Sequence, residues 1–224
     1  MAGPAAVTFD LDHTLCEHDQ SHDELLTETF ERAGVEQYCT PSDVDAIVDD
    51  APTVESDREF FEFCFAEAAR RAGANADHAP TLATTYDDLL DHSAVSFRPG
   101  AEAALSAVDD RHVALVTNGS EQTQTEKLEA LGLTDAFDAT VFCDPAAGIH
   151  AKPDPAPFER ALDALGVEPA ETLHVGDSLA ADVAGANALG SDSAWVPPSP
   201  PVERTLDHEP THRLSSLADL PSIL

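Results

Sequence analysis

Val7-Thr8-Phe9-Asp10-Leu11-Asp12-His13-Thr14-Leu15 is the stretch on which the reading of this chain turns. The apolar run Ala5 to Phe9 predicts a short buried strand, and two carboxylates follow it at i and i+2. Alternation along extended backbone points Asp10 and Asp12 to one side. Like charges held so close require a cation, a shared proton or a positive partner. A hard divalent ion with oxygen ligands, Mg²⁺ above all, suits such a pair. The plain alternative is a strand end and a turn start that carry no chemistry. A calcium-binding loop does not fit, because it needs Asp or Asn and then Gly where this chain has Thr14 and Leu15. Such a loop also follows a helix, not a strand.

Downstream of the first strand, Ser21 to His92 reads as helices without a strand. Ser21 with Glu24 three residues on has a capping-box pattern, and Leu25, Leu26 and Phe30 give an apolar face. Ser42 stands where it would cap a short second helix. Ser56 opens a third that carries Phe60, Phe61, Phe63 and Phe65, which cover more than one face and place this helix at the centre of its own bundle, with the lining of a substrate pocket as the alternative. A fourth runs from about Pro80 to Leu90. After Phe97-Arg98-Pro99-Gly100 the pattern becomes alternating helix and strand. Helices are expected over Ala101 to Val108, Glu121 to Leu131, Pro155 to Leu165 and Leu179 to Leu189, and strands over His112 to Val116, Ala139 to Phe142, Thr172 to Val175 and Ser193 to Val196. Such alternation predicts an α/β fold, a doubly wound, Rossmann-like parallel sheet with helices on both faces. The predicted organisation is an α/β core from residues 1–15 and 98–224 with an inserted helical domain, 16–97. Beyond the Pro-rich Pro197 to Pro201, Arg213 to Leu217 reads as an edge strand before a last helical turn.

The composition narrows the functional classes. Forty-three acidic residues against 11 lysines and arginines give a net charge of −32, and Lys127 and Lys152 are the only lysines. A surface so acidic repels itself at low salt and stays soluble in molar salt, where the Debye length is about 3 Å. It predicts a salt-rich cytoplasm and argues against nucleic acid or an anionic membrane as a partner. A hydrophobic content of 42% with periodic apolar segments argues against an acidic disordered chain. Cys16, Cys39, Cys64 and Cys143 form no C-x-x-C pair, which predicts free thiols in a reducing compartment. No secretory leader or membrane span is expected, so the sequon Asn118-Gly119-Ser120 reads as chance. His18 and His22, at helical i, i+4 spacing beside Asp19 and Asp23, read as a solvated acidic face, with a second metal site as the alternative.

In a doubly wound sheet, ligands sit beyond the carboxyl ends of the strands. Asp10 and Asp12 follow the first strand, and Thr117, Asn118 and Gly119 follow the strand ending at Val116. Lys152 lies in Ala151-Lys152-Pro153-Asp154-Pro155, after the strand ending at Phe142. Gly176, Asp177 and Ser178 follow Val175, with Asp182 five residues past Asp177. Each group alone has a structural explanation as a cap or a surface loop. Jointly they supply what phosphoryl transfer needs: a carboxylate nucleophile, a metal site, donors for the equatorial oxygens and a second carboxylate as acid and base.

These four groups, in this order, resemble the four motifs of the haloacid dehalogenase-like (HAD) hydrolases, over nearly the whole chain. The likeness is to the phosphatase branch with a helical type-one cap, phosphoglycolate phosphatase-like. It implies that Asp10 is the nucleophile and Asp12 the general acid/base, and that Thr117, Asn118 and Lys152 bind phosphate. It implies that Asp10, the Asp12 carbonyl and Asp177 ligate Mg²⁺, supported by Ser178 and Asp182. The implied substrate is a small phosphorylated metabolite, and the insert is the implied cap. His13 departs from the family, which usually has Gly there. A dehalogenase would lack Asp12. A phosphomutase or an idle binding module on the same fold are the other readings.

Overall fold

The computed structural model describes residues 3–48, 51–52, 54, 56–197 and 208–224. The chain divides into two compact units, Met1–Glu17 with Val95–Leu224, and His18–Ala94.

The first unit is built on a six-stranded sheet ordered β5-β4-β1-β6-β7-β8. The strands are β1 (Ala6–Phe9), β4 (His112–Val116), β5 (Ala139–Val141), β6 (Thr172–Gly176), β7 (Asp192–Trp195) and β8 (His212–Arg213). Every pairing in it is parallel, as the alternation with helices requires. β1 lies between β4 and β6, with Phe9 in register with Leu115 and Val175. All four β1 residues are buried, so the strand reads as an uninterrupted apolar run rather than an alternating one. The helices are α5 (Ala101–Ser106), α6 (Glu121–Leu131), α7 (Pro155–Leu165) and α8 (Ala184–Leu189). α6 and α7 end at Gly132 and Gly166, which take the left-handed conformation that terminates a helix. One core contains Val7, Phe9, Leu11, Leu115, Leu173 and Val175, and a second contains Ala114, Val116, Val141, Phe158 and Ala186. The sheet is thus covered on both faces.

The expected helix over Leu179 to Leu189 is two pieces: a wide π-type turn, Leu179–Val183, and then α8. The edge strand forms at His212–Arg213, short of the expected Arg213 to Leu217, and a 3₁₀ turn occupies Leu217–Ser222. The Pro-rich residues 198–201 lie outside the described residues. Two strands went unpredicted: β2 (Cys16–His18) and β3 (Val95–Phe97), which pair as a separate two-stranded sheet where the chain leaves and re-enters the first unit.

The second unit holds α1 (His22–Ala33), α2 (Pro41–Val48), α3 (Asp57–Ala72) and α4 (Ala79–Leu89). Ser21 and Ser56 cap α1 and α3, accepting from the backbone N–H of Glu24 and Glu59. The cap of α2 is not Ser42. Thr40 does that work, with its N–H and hydroxyl both on Asp43 Oδ2 at 2.8 and 2.7 Å, and Pro41 fills the first helical position, where a missing N–H is harmless. Phe65 is buried among Phe30, Tyr86, Leu82 and Ile47, and Phe60, Phe61 and Phe63 pack around that core.

Candidate active site

Lys152 is the centre of the constellation. Its side chain is almost wholly buried, and Nζ donates to Asp10 Oδ1 at 2.6 Å and to the Val116 carbonyl at 2.7 Å. It also pairs with Asp182 Oδ1 at 2.7 Å. One lysine therefore joins the ends of β1 and β4 to the turn after β6. A buried ammonium persists only if its donors are satisfied and its charge is matched. Burial works against the charge on Lys152, but the Asp10 and Asp182 carboxylates outweigh it and hold the ammonium above its ordinary range.

Carboxylate oxygens of Asp10, Asp177 and Asp182 lie within 4.8 Å of one another. Burial pushes Asp10 up to about 7, helped by the charges of Asp182 and Asp12 and opposed by Lys152. Burial likewise raises Asp177 well above the usual carboxylate range, with Asp182 and Asp10 adding to it. Burial would raise Asp182 too, but Lys152 and the His174 hydrogen bond prevail and hold it low. Three carboxylates thus face one ammonium, a set of hard oxygen donors with a deficit of positive charge, which fits a divalent cation such as Mg²⁺.

Asp182 is held on both oxygens. Oδ2 accepts from the Ser178 N–H at 2.9 Å and Oδ1 is 3.1 Å from His174 Nε2. Burial keeps His174 neutral by lowering its pKa. A carboxylate only accepts, so Nε2 carries the proton and Nδ1 takes the Thr8 hydroxyl proton at 2.8 Å. Thr8 and His174 are direct neighbours across β1 and β6. Ser178 caps the turn behind, its Oγ accepting from the Ala181 N–H at 3.1 Å. Gly176 admits all this because a Cβ there would collide with the Asp182 carboxyl group. Gly176→Ala is therefore expected to lower stability by about 2 kcal/mol through overpacking. Urea unfolding in molar KCl measures it, and an unchanged midpoint would mean that Asp182 moves aside without cost.

Thr117 is buried at the end of β4, and its Oγ1 accepts from the Gly119 N–H at 3.3 Å, leaving the hydroxyl proton to donate. Asn118, expected among the phosphate-binding groups, has both ends of its amide on the main chain of Lys152. Oδ1 accepts from the Lys152 N–H at 2.7 Å and Nδ2 donates to its carbonyl at 3.2 Å. Its side chain positions the lysine.

Asp12 lies apart from the acidic cluster. Its carboxylate turns to α6, where Lys127 Nζ reaches Oδ1 at 2.7 Å and Gln124 Nε2 reaches Oδ2 at 2.9 Å. The strand alternation that was expected to align it with Asp10 ends at Phe9, and Asp12 sits instead in a bridge to Cys16. His13 adopts φ 58°, a left-handed conformation that disfavours side chains and that a Gly would take without strain. Its carbonyl accepts from Arg98, a buried guanidinium that also donates to the Pro197 carbonyl at 2.9 Å and pairs with Glu17 at 3.1 Å. Trp195, the sole tryptophan, donates to the Asp177 carbonyl at 2.6 Å. The sequence reading gave no role to Gln124, Arg98, His174 or Trp195. Lys127 carried one signal, its rarity.

The chain is similar to known proteins in sequence and in fold. The model of the haloacid dehalogenase-like hydrolases matches residues 4–190. Phosphoglycolate phosphatase of Rhodospirillum rubrum is 36% identical over 194 residues, 84% of this chain and 77% of that one. N-acylneuraminate-9-phosphatase of Mus musculus is 38% identical over 111 residues, 49% of this chain, and the match spans 44% of that protein, about half its length. The crystal structure of a predicted phosphoglycolate phosphatase from Haemophilus somnus superposes with a TM-score of 0.79 at 19% identity, covering 100% of this chain and 99% of that one. The chain belongs to the haloacid dehalogenase-like hydrolases.

Proposed function

We propose that this protein is a Mg²⁺-dependent phosphatase that hydrolyses a small phosphomonoester through an aspartyl-phosphate on Asp10. The observation that carries the reading is the buried Lys152, held between Asp10 and Asp182 beside Asp177. An idle module has no reason to gather three carboxylates, two of them buried, around one ammonium, because such a group destabilises the fold. Asp10, Asp177 and the Asp12 carbonyl would hold the metal, with Asp182 beside them, and a bound Mg²⁺ would neutralise charge on the phosphoryl oxygens.

The remaining chemistry belongs to the side chains. Asp10 attacks phosphorus, and the bond from phosphorus to the ester oxygen breaks as Asp12 gives that oxygen a proton. Thr117 and Lys152 donate to the equatorial oxygens, where charge accumulates. Water then attacks phosphorus, Asp12 takes its proton, and the bond to Asp10 breaks to release inorganic phosphate. The helical unit is read as the cap that selects substrate and excludes water. The salt-rich cytoplasm inferred from the charge is its proposed setting.

Relatives named as phosphatases support this reading over a dehalogenase, and so does Asp12. In molar KCl the protein is expected to release phosphate from members of a panel of phosphorylated metabolites, with loss of release in EDTA and recovery in Mg²⁺. No halide release from 2-chloropropionate is expected. Silence across the panel from folded protein would return the binding-module reading, and interconversion of sugar phosphates without free phosphate would mark a mutase.

A further inference from the structure

The chain has two lysines among 43 acidic residues, and both are on the aspartates of the first strand end: Lys152 on Asp10, Lys127 on Asp12. Each is only 5% exposed. A surface that carries no lysine among the described residues has kept both where a charge is matched inside the site.

We propose that Lys127 and Gln124 form a clamp that fixes the direction of the Asp12 carboxylate, and are positioning residues for its proton transfers. The inference rests on the phosphatase reading of Asp12. One donor holds each oxygen, at 2.7 and 2.9 Å, so rotation about the carboxyl group is blocked. Lys127 and Gln124 stand three residues apart on α6 and so share a face. Gln124 is 2% exposed, and its Oε1 is buried without a hydrogen-bond partner. Because a carboxylate only accepts, Nε2 must face Asp12 and Oε1 must face away. The amide thus forgoes one buried hydrogen bond to hold Asp12, against the usual rule. Gly119 belongs to the same device, since a Cβ there would overlap the Gln124 amide. A 3.6-residue periodicity accounts for burying an apolar side chain at position 124, and does not account for burying an amide and an ammonium against an acid 112 and 115 residues away.

The test separates the two proton transfers. With an alkyl phosphate the leaving oxygen needs the Asp12 proton. With p-nitrophenyl phosphate it does not, because nitrophenolate leaves unprotonated, yet the later attack of water still needs Asp12 as base. For Lys127→Met and Gln124→Leu, kcat for the best alkyl phosphate of the panel is expected to fall about 10²-fold with KM changed less than about threefold. With p-nitrophenyl phosphate the same variants are expected to give a rapid burst of one nitrophenolate per enzyme, with acid-stable phosphate on Asp10, followed by slow turnover. Lys127→Arg should restore much of the rate. Gln124→Leu keeps the shape and removes the unpartnered oxygen, so it guards against misfolding. Native-like kinetics in both variants, or equal losses on both esters without a burst from folded protein, overturn the clamp. A native protein inert on every ester overturns the phosphatase reading, and the clamp's role in proton transfer with it.

Discussion

Asp10→Asn is expected to abolish turnover, by about 10⁴-fold or more, while making the metal-free protein more stable at pH 8. The amide cannot attack phosphorus, so no aspartyl-phosphate forms. Its effect on stability follows from burial. Asp10 is raised from 3.8 to about 7 in the folded protein. Between those values the native state keeps a proton that the unfolded chain has lost, so stability falls as pH rises through that window. Above about 7 the folded protein carries an ionised Asp10 among Asp177 and Asp182, and the full penalty applies. Asn carries no such charge, and Lys152 keeps Asp182 and the Val116 carbonyl as partners. A rise in Tm of about 5 °C at pH 8 in EDTA is expected, shrinking toward pH 5. Mg²⁺ should reverse the order, since it stabilises only the protein that binds it. A variant no more stable than native at pH 8 would show that Asp10 is not held against its own charge.

The parts of the site that were legible in sequence are those that one strand end supplies by itself. Asp10, Thr117 and Asp177 directly follow strands of the sheet, Asp182 and Lys152 lie in the segments that leave β6 and β5, and topology brings strand ends together. The groups that hold them in place were not legible, because their partners are distant in sequence. Gln124 and Lys127 read as ordinary polar residues of a helix until Asp12 is placed beside them. His174 sits in an apolar strand, and only the register with Thr8 reveals its hydrogen bond. Arg98 was visible only as part of a turn sequence, yet it ties the Asp12–Thr14 loop to the chain beyond β7. Strands of three residues, such as β2 and β3, are too short for alternation to register. The α2 cap had a signal in Thr40-Pro41, but Ser42 competes with it on residue type alone.

Lys152→Met tests the electrostatic argument from the opposite side. Removing one partner of a buried ion pair leaves charge uncompensated, at a cost of about 3–5 kcal/mol. Here two carboxylates lose their cation together, and Asp177 stands close to both. The variant is expected to be inactive and strongly destabilised at pH 8 in EDTA. Its recovery identifies the cause. Lys152 lowers the pKa of Asp10, Asp177 and Asp182 alike, so without it all three bind protons more tightly in the native state. The folded variant then holds more protons than the unfolded chain from about pH 4 upward, and its stability rises as pH falls toward 5. Ordinary carboxylates paired in the native state lose stability over that range. Urea midpoints at pH 5, 6.5 and 8, in constant molar KCl, give the slope. A variant that gains stability on acidification, and on addition of Mg²⁺ at pH 8, carries the signature of unmatched buried carboxylates. One equally unstable at every pH would mean that Lys152 contributes through packing against β4 and the turn after β6, and the three-carboxylate account of the site would fall.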